Sequence, residues 1–269
     1  MNILILGDVV GPSGREAIVK QLPKLIKKKK LDFVIINGEN AADPGVGITK
    51  KNTEEFFKAG TDVITTGNHV WDQKETMEFI TSEKRLLRPE NLIKGSPGQG
   101  TSIFTTKNNK KVAVINLMGN IYMKKCEDVF EAAKKFIQAV KLKRDADFIV
   151  VDFHGEITSE KMAMGYLFDG KATMVVGTHT HVPTSDHIIM EKGTAYQTDV
   201  GMCGDYKSVI GMDRDNSLKK FFKDPTAKRH YPALGEGTVS GIMVIADGDT
   251  GLAKKIEPIV VGKHLENRI

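Results

Sequence analysis

Between Asn2 and Thr66 the chain alternates short apolar runs with amphipathic stretches, and this alternation limits the fold more than any other feature. Asn2 to Leu6, Phe33 to Asn37 and Val63 to Thr66 are apolar and short, which marks buried strands rather than helices. Ser13 to Lys30 carries Ile18, Leu22, Leu25 and Ile26 at helical spacing, and Pro23 inside it predicts a kink or a break. Thr49 to Ala59 reads as a second helix, with Thr49 as N-cap and Gly60 as stop. Strand, helix, strand, helix, strand is the signature of an α/β protein whose parallel sheet is covered by helices.

The later chain is less regular. Ser102 to Thr106 and Lys111 to Leu117 predict a hairpin around Lys107-Asn108-Asn109, after a Gly/Pro-rich loop from Gly95 to Gly100. Asp128 to Lys143 predicts a long helix. Asp147 to Asp152 and Thr173 to Val176 predict buried strands. Strand-like runs dominate from Ile188 to Val260, Thr238 to Ala246 among them. Two sheets, one finishing each half of the chain, account for this distribution. With no internal repeat and no low-complexity linker, residues 1–269 read as one domain. Met212 to Pro232 is polar and basic, with Phe221, Phe222 and Tyr231 interspersed, and reads as a surface excursion rather than a flap near a site.

Each of five predicted strands runs into a polar cluster that contains a glycine. These clusters are Gly7-Asp8, Gly38-Glu39-Asn40, Gly67-Asn68-His69, Asp152-Phe153-His154-Gly155 and Gly177-Thr178-His179-Thr180-His181. Ligands of parallel α/β sheets bind at the carboxyl ends of the strands, so the five clusters are expected to converge on one rim. Asp8, Glu39, Asn40, Asn68, His154, His179 and His181 offer oxygen and imidazole donors without any thiolate, a set that suits Zn, Mn, Fe, Ni or Co. Seven donors exceed the four of a tetrahedral site. Two metals sharing a carboxylate would use them all, an arrangement suited to phosphoryl transfer. His179-x-His181 is the strongest single element, because alternate residues of an extended chain point the same way. Taken one at a time, Asp8 would serve as a helix cap, Glu39, Asn40 and Asn68 as turn residues, and His154 as a core histidine. Trp71 either stacks on a base or packs in the core.

Other chemistries find no support. The glycine-rich Gly7 to Gly14 stretch matches neither nucleotide-binding spacing, and no G-x-S-x-G elbow is present. The net charge of +5 is mild for 269 residues and does not by itself indicate nucleic-acid binding. Lys27 to Lys30 reads as the basic end of a helix. Cys126 and Cys203 form no paired motif, which suits a reducing cytosol, and cytoplasmic localisation is the expectation. The opening residues read as a strand rather than a signal peptide, and no apolar run is long enough to span a membrane.

The order Asp8, Gly67-Asn68-His69, His154 and Gly177-Thr178-His179-Thr180-His181 resembles the calcineurin-like metallophosphoesterase superfamily. Gly7-Asp8-Val9-Val10-Gly11, Asn37-Gly38-Glu39-Asn40-Ala41-Ala42 and Thr66-Gly67-Asn68-His69-Val70-Trp71-Asp72 are most similar to its bacterial YmdB-like branch, the 2′,3′-cyclic-nucleotide 2′-phosphodiesterases. Asp152-Phe153-His154-Gly155-Glu156 and Asp199-Val200-Gly201-Met202 agree. The usual Asp-x-His is missing after Asp8, and Glu39 replaces the usual bridging aspartate; both departures are shared with that branch, where the Asn supplies the missing donor.

The resemblance implies a four-layer α/β/β/α sandwich with two central sheets. It further implies a metal held by Asp8, Glu39, Asn40 and His181 and a second held by Glu39, Asn68, His154 and His179. Fe or Mn stands ahead of Zn or Mg. A water or hydroxide between them would attack, and His69 would act as general acid. Asp72 would orient His69 or cap a helix. The expected substrate is a small-molecule or RNA-derived phosphodiester, first of all a 2′,3′-cyclic nucleotide opened to the 3′-nucleotide. A regulator that binds nucleotide or RNA with incidental catalysis, and a phosphatase or phosphodiesterase of another substrate, are the alternatives. An apolar helix face would serve a homo-oligomer as well as a core.

Overall fold

A computed structural model describes all 269 residues, Met1 to Ile269. The predicted alternation is present as β1 (Asn2–Val10), α1 (Gly11–Lys29), β2 (Phe33–Asn40), α2 (Lys50–Ala59) and β3 (Val63–Thr65). The short α3 (Thr76–Phe79) precedes the expected hairpin, β4 (Thr101–Thr105) and β5 (Lys111–Met118). Next come α4 (Val129–Ala139), β6 (Phe148–His154), α5 (Thr158–Phe168) and β7 (Met174–Thr178). The chain ends with β8 (Ile188–Ile189), β9 (Ala195–Gln197), β10 (Met202–Cys203), α6 (Arg214–Phe221), β11 (Val239–Ala246) and β12 (Ala253–Val261).

Two mixed sheets result. The first has the order β12-β11-β1-β2-β3, with β10 also pairing with β1; the second runs β4-β5-β6-β7-β9-β8. They do not divide the chain into halves as expected. The C-terminal strands return to the first sheet, where β11 pairs antiparallel with β1. The second sheet is made of the middle of the chain.

Side-chain alternation along the strands builds the layers. On β1, Leu4 and Leu6 face outward to Ile18, Leu22 and Leu25 of α1 and Phe56 of α2. Ile3 and Ile5 face inward and meet Val112, Val114, Phe148 and Val150 of the second sheet. The outer face of that sheet carries Ile115, Leu117, Val151 and Phe153 against Phe136 of α4 and Met164 and Phe168 of α5. Helices, sheet, sheet and helices are therefore stacked, the expected α/β/β/α order, and each wholly buried Ile of the middle layer contributes roughly 1.5–3 kcal/mol. No helix is long and apolar enough to cross a membrane.

One helix expectation is narrowed and one needs correction. Pro23 lies inside α1 without ending it. The Val19 carbonyl that loses its donor sits under a half-exposed side chain, where water can satisfy it. The predicted helix from Asp128 to Lys143 stops at Ala139, because Val140 takes an extended conformation and leads into the next turn. Lys27, Lys28 and Lys29 form the last turn of α1, as the basic helix end predicted.

Candidate metal centre

The five clusters do converge, but onto the adjoining carboxyl ends of two sheets rather than the rim of one. Asp8, Glu39 and Asn40 lie on β1 and β2, and Asn68 and His69 follow β3. His154 ends β6, and His179 and His181 follow β7. Asp8 does not cap α1, whose N-cap is Val10 without a side-chain bond. It is fully buried and accepts from the His179 backbone N–H at 3.0 Å. Its Oδ1 lies 3.6 Å from His154 Nδ1 and 3.9 Å from His181 Nε2.

Around His154 Nε2 the donors crowd together. Glu39 Oε1 is 3.2 Å away, Asn68 Oδ1 3.2 Å and His179 Nδ1 3.1 Å. Asn40 donates from Nδ2 to the Gly45 carbonyl at 3.0 Å, which leaves its side-chain oxygen as the available donor atom. His181 Nδ1 is bonded to the Ile210 carbonyl at 2.7 Å, and that bond leaves Nε2 free to face Asp8. All seven predicted donors are thus at the site, although for Asn40 the placement rests on its shared cavity with Glu39, His69, His179 and His181.

These atoms fit a cation better than they fit one another. Asp8 Oδ1 and Glu39 Oε2 are buried without any hydrogen-bond partner, and a buried polar atom left unpaired costs about 1–3 kcal/mol. Glu39, His154 and His179 each bring one donor atom within 4.8 Å of the others. Gly67 is part of this packing: a Cβ there would run into the Glu39 carboxylate and the His154 ring. With only protons to balance the charge, burial works against the imidazolium of His154, but Glu39 outweighs it and raises His154 to about 9. Burial likewise opposes the Glu39 carboxylate, yet His154 brings its pKa below the usual range. Burial pushes Asp8 up, against the pull of His181 and His154. Burial and the charge on His154 take His179 down to about 3, so its lone pair is available. The pocket demands positive charge between its carboxylates.

The backbone carrying His179 and His181 overturns one expectation. It is not extended. The φ angles are 96° at His179 and 65° at His181, left-handed values that non-glycine residues seldom adopt. Such a conformation persists only where the surroundings impose it. Lys161 of α5, wholly buried, donates to the Thr178 carbonyl and to Asp199 Oδ2, both at 2.8 Å. Asp199 in turn accepts from Thr180 N at 3.1 Å and Thr180 Oγ1 at 2.7 Å. The pair therefore grips the loop on both sides of His179.

A second network orients His154. Thr178 Oγ1 donates to Asp152 Oδ1 at 2.8 Å and receives His154 Nδ1–H at 2.9 Å, which directs Nε2 into the donor cluster. Asp152 Oδ2 also accepts from Asn37 Nδ2 at 3.0 Å and from the Thr65 hydroxyl, so β2 and β3 of one sheet are tied to β6 of the other beneath the site. Lys161, Asp199, Asp152 and Thr178 were not singled out as site residues from sequence. The available signals were a lysine heading the apolar run Met162 to Phe168 and an Asp, Asp199, two residues after a strand.

His69 stands apart from the donor cluster, at the edge of the site. Its Nδ1 is 2.6 Å from Asp72 Oδ2, and Lys124 Nζ holds the other Asp72 oxygen at 3.3 Å. Asp72 thus contacts the imidazole rather than capping α3, whose N-cap is Glu75. Trp71 packs against the outer core. His69 opens on a cavity of about 280 Å³ shared with Glu39, Glu156 and His179 and walled by Ile210 and Met212. The start of the supposed surface excursion is therefore part of the site wall. A larger cavity of about 470 Å³, beside α4, contains none of the donors and has no bearing on this chemistry.

The chain is similar to known proteins over nearly its whole length. The chain is 46% identical over 261 residues to a Bacillus subtilis protein named 2′,3′-cyclic-nucleotide 2′-phosphodiesterase, covering 97% of each. A solved Mycoplasma pneumoniae structure titled as a novel phosphatase superposes with a TM-score of 0.89 at 37% identity, covering 97% of this chain and 93% of that one. A hypothetical protein from Thermus thermophilus matches with a TM-score of 0.89 at 35% identity over 98% and 100% of the two chains. The profile of the family described as YmdB-like protein matches residues 4–259, and the chain belongs to that family.

Proposed function

We propose that the protein is a binuclear-metal phosphodiesterase whose substrate is a 2′,3′-cyclic nucleotide, opened to the 3′-nucleotide. The observation that carries this reading is a separately held imidazole, His69, facing a cavity lined by Glu39, Asn40, His179 and His181, with Asp8, Asn68 and His154 adjoining them, seven donors in all where one tetrahedral cation needs four. The substrate and the bond broken come from the Bacillus subtilis relative's name; a Mycoplasma pneumoniae relative, 39% identical, is named a putative phosphatase/phosphodiesterase. One cation would be held by Asp8, Glu39, Asn40 and His181, the other by Glu39, Asn68, His154 and His179, with Glu39 shared. The donors would accept Zn, Mn or Fe alike, and the family resemblance puts Fe or Mn ahead of Zn or Mg. When bound, the two cations supply charge that acidifies water and offsets the negative charge growing on the phosphate.

The chain's own residues do the rest. Asp72 accepts the Nδ1–H of His69 and orients the ring, so that the protonated imidazole can give its Nε2 proton to the departing ribose oxygen. Lys124 keeps Asp72 in place. Val46, Ile210 and Met212 shield the cavity from water on its apolar side. Because the donors come from both sheets, residues 1–269 act as a single catalytic domain.

Hydrolysis of 2′,3′-cyclic AMP, bis-p-nitrophenyl phosphate and p-nitrophenyl phosphate, with metal content measured on the same sample, tests the reading. His69→Ala is expected to retain its metal and to slow diester turnover by ~10²–10⁴. An equal loss of metal would remove the general-acid role. A fully loaded protein inert towards all three compounds would overturn the substrate assignment.

A further inference from the structure

α6 is built inside out. Its buried residues are the polar Asn216 and Ser217, while Leu218, Phe221 and Phe222 stand 46%, 77% and 80% exposed. A surface helix ordinarily does the reverse. Polar anchors hold it in this pose. Asn216 Nδ2 donates to the Lys228 carbonyl at 3.2 Å, and its oxygen accepts from Lys228 N at 2.8 Å. Asp213 caps the helix by accepting from Asn216 N at 2.8 Å, and Ser217 Oγ donates to the Asp213 carbonyl at 2.7 Å. None of these bonds involves the two phenyl rings, so the rings are displayed by the scaffold without supporting it.

The surroundings are cationic. From Leu218 to Tyr231 the chain carries Lys219, Lys220, Lys223, Lys228 and Arg229 against the single acid Asp224. That carboxylate is already engaged by Thr226 N and Oγ1, both at 2.7 Å. A short stretch thus supplies most of the chain's net charge of +5. The segment just before α6 lies at the metal centre, where the Ile210 carbonyl receives the His181 N–H and Ile210 and Met212 wall the cavity.

We propose that this surface binds single-stranded RNA and leads its 3′ end into the metal centre, with Phe221 and Phe222 stacking on bases and the adjacent lysines tracking phosphates. Exposed rings set among cations are the means by which proteins hold single strands without reading their sequence, since every base offers a π-face. A second copy of the chain is a poorer occupant, because a two-fold contact would press each basic patch against itself. An anionic membrane would satisfy the charge, but the continuity with a cavity that accepts a phosphodiester favours a strand. The choice of a strand over a membrane and the placing of its 3′ end rest on the phosphodiesterase reading; the display of rings among cations does not.

The test is fluorescence anisotropy of a labelled single-stranded RNA of about 12 nucleotides, with the protein kept in EDTA so that nothing is cleaved. Binding should weaken with salt at a log–log slope of about −3, as expected for four or five phosphates. The Phe221→Ala/Phe222→Ala protein should bind at least ~10-fold more weakly, yet hydrolyse a cyclic mononucleotide and melt like the parent. Absence of RNA binding, or equal binding by the variant, overturns the proposal. So does a dimer, seen by light scattering, that dissociates in the variant while RNA binding is unchanged. Loss of binding to phosphatidylglycerol vesicles in the variant, with RNA binding unaltered, would assign the face to a membrane and also overturn it. RNA binding without any turnover would uphold the surface while removing the proposed function.

Discussion

Replacing Lys161 with Met should be the most damaging single change outside the donor set. Lys161 and Asp199 are 1% and 0% exposed, and removing one partner of a buried pair strands the other charge, at about 3–5 kcal/mol. For a chain of this size each kcal/mol lowers the melting temperature by roughly 2–4 °C, so the fall should be about 6–20 °C. Asp199 keeps its bonds from Thr180 N, Thr180 Oγ1 and Gly201 N, which places the loss towards the lower end. The left-handed loop then loses its clamp at the Thr178 carbonyl. Metal affinity should drop by ~10–100-fold, as for other residues that orient ligands. Calorimetry of the metal-free protein and metal titration by isothermal calorimetry measure the two effects separately. In the Lys161→Met/Asp199→Asn protein, where no charge is stranded, much of the stability should return while metal affinity stays low. A loss under about 1 kcal/mol, within the range of an exposed pair, or an unchanged metal affinity, would refute the reasoning.

Two further predictions concern the site itself. Gly67→Ala places a methyl group against the Glu39 carboxylate and the His154 ring; such overpacking costs about 1–3 kcal/mol, and metal content by mass spectrometry should fall with it, whereas full occupancy would show that the site can yield. In the metal-free protein the His154 pKa rises from 6.5 to about 9 through Glu39, against the opposing effect of burial. A raised pKa means that the folded state holds the proton more tightly, so the contribution is complete below pH 6.5 and lost as the pH climbs through 9. Melting temperature should therefore decline across that interval without metal and much less with it; matching profiles would contradict the account.

The sequence made the site's membership legible and its stereochemistry illegible. Strands show through as apolar runs, and the polar residues ending them are expected to share an edge, so the sequence alone points to Asp8, Glu39, His154 and His179 as neighbours, which the structure makes them. Nothing in Gly177-Thr178-His179-Thr180-His181 announces left-handed histidines, because that conformation is imposed by Lys161 and Asp199, which are remote from each other in sequence. The return of β11 to β1 was equally hidden, since an apolar strand does not name its partner. Pro23 left a kink or a break open, and α1 runs through it to Lys29, so the break is excluded. The excursion was judged by its polarity, which is real beyond Asp213 but says nothing of Ile210 and Met212 at the cavity.

Glu39 belongs to one sheet and His154 to the other, and His179 follows a strand of that second sheet. The gap between the sheets is filled by Ile5, Ile35, Val150 and Val176. That apolar filling therefore acts as a spacer block for the chemistry above it: its thickness sets how far the carboxylate stands from the imidazoles. A methylene gained or lost in the middle layer, remote from any donor, would register first as a change in which ion the pocket prefers, before the fold showed distress.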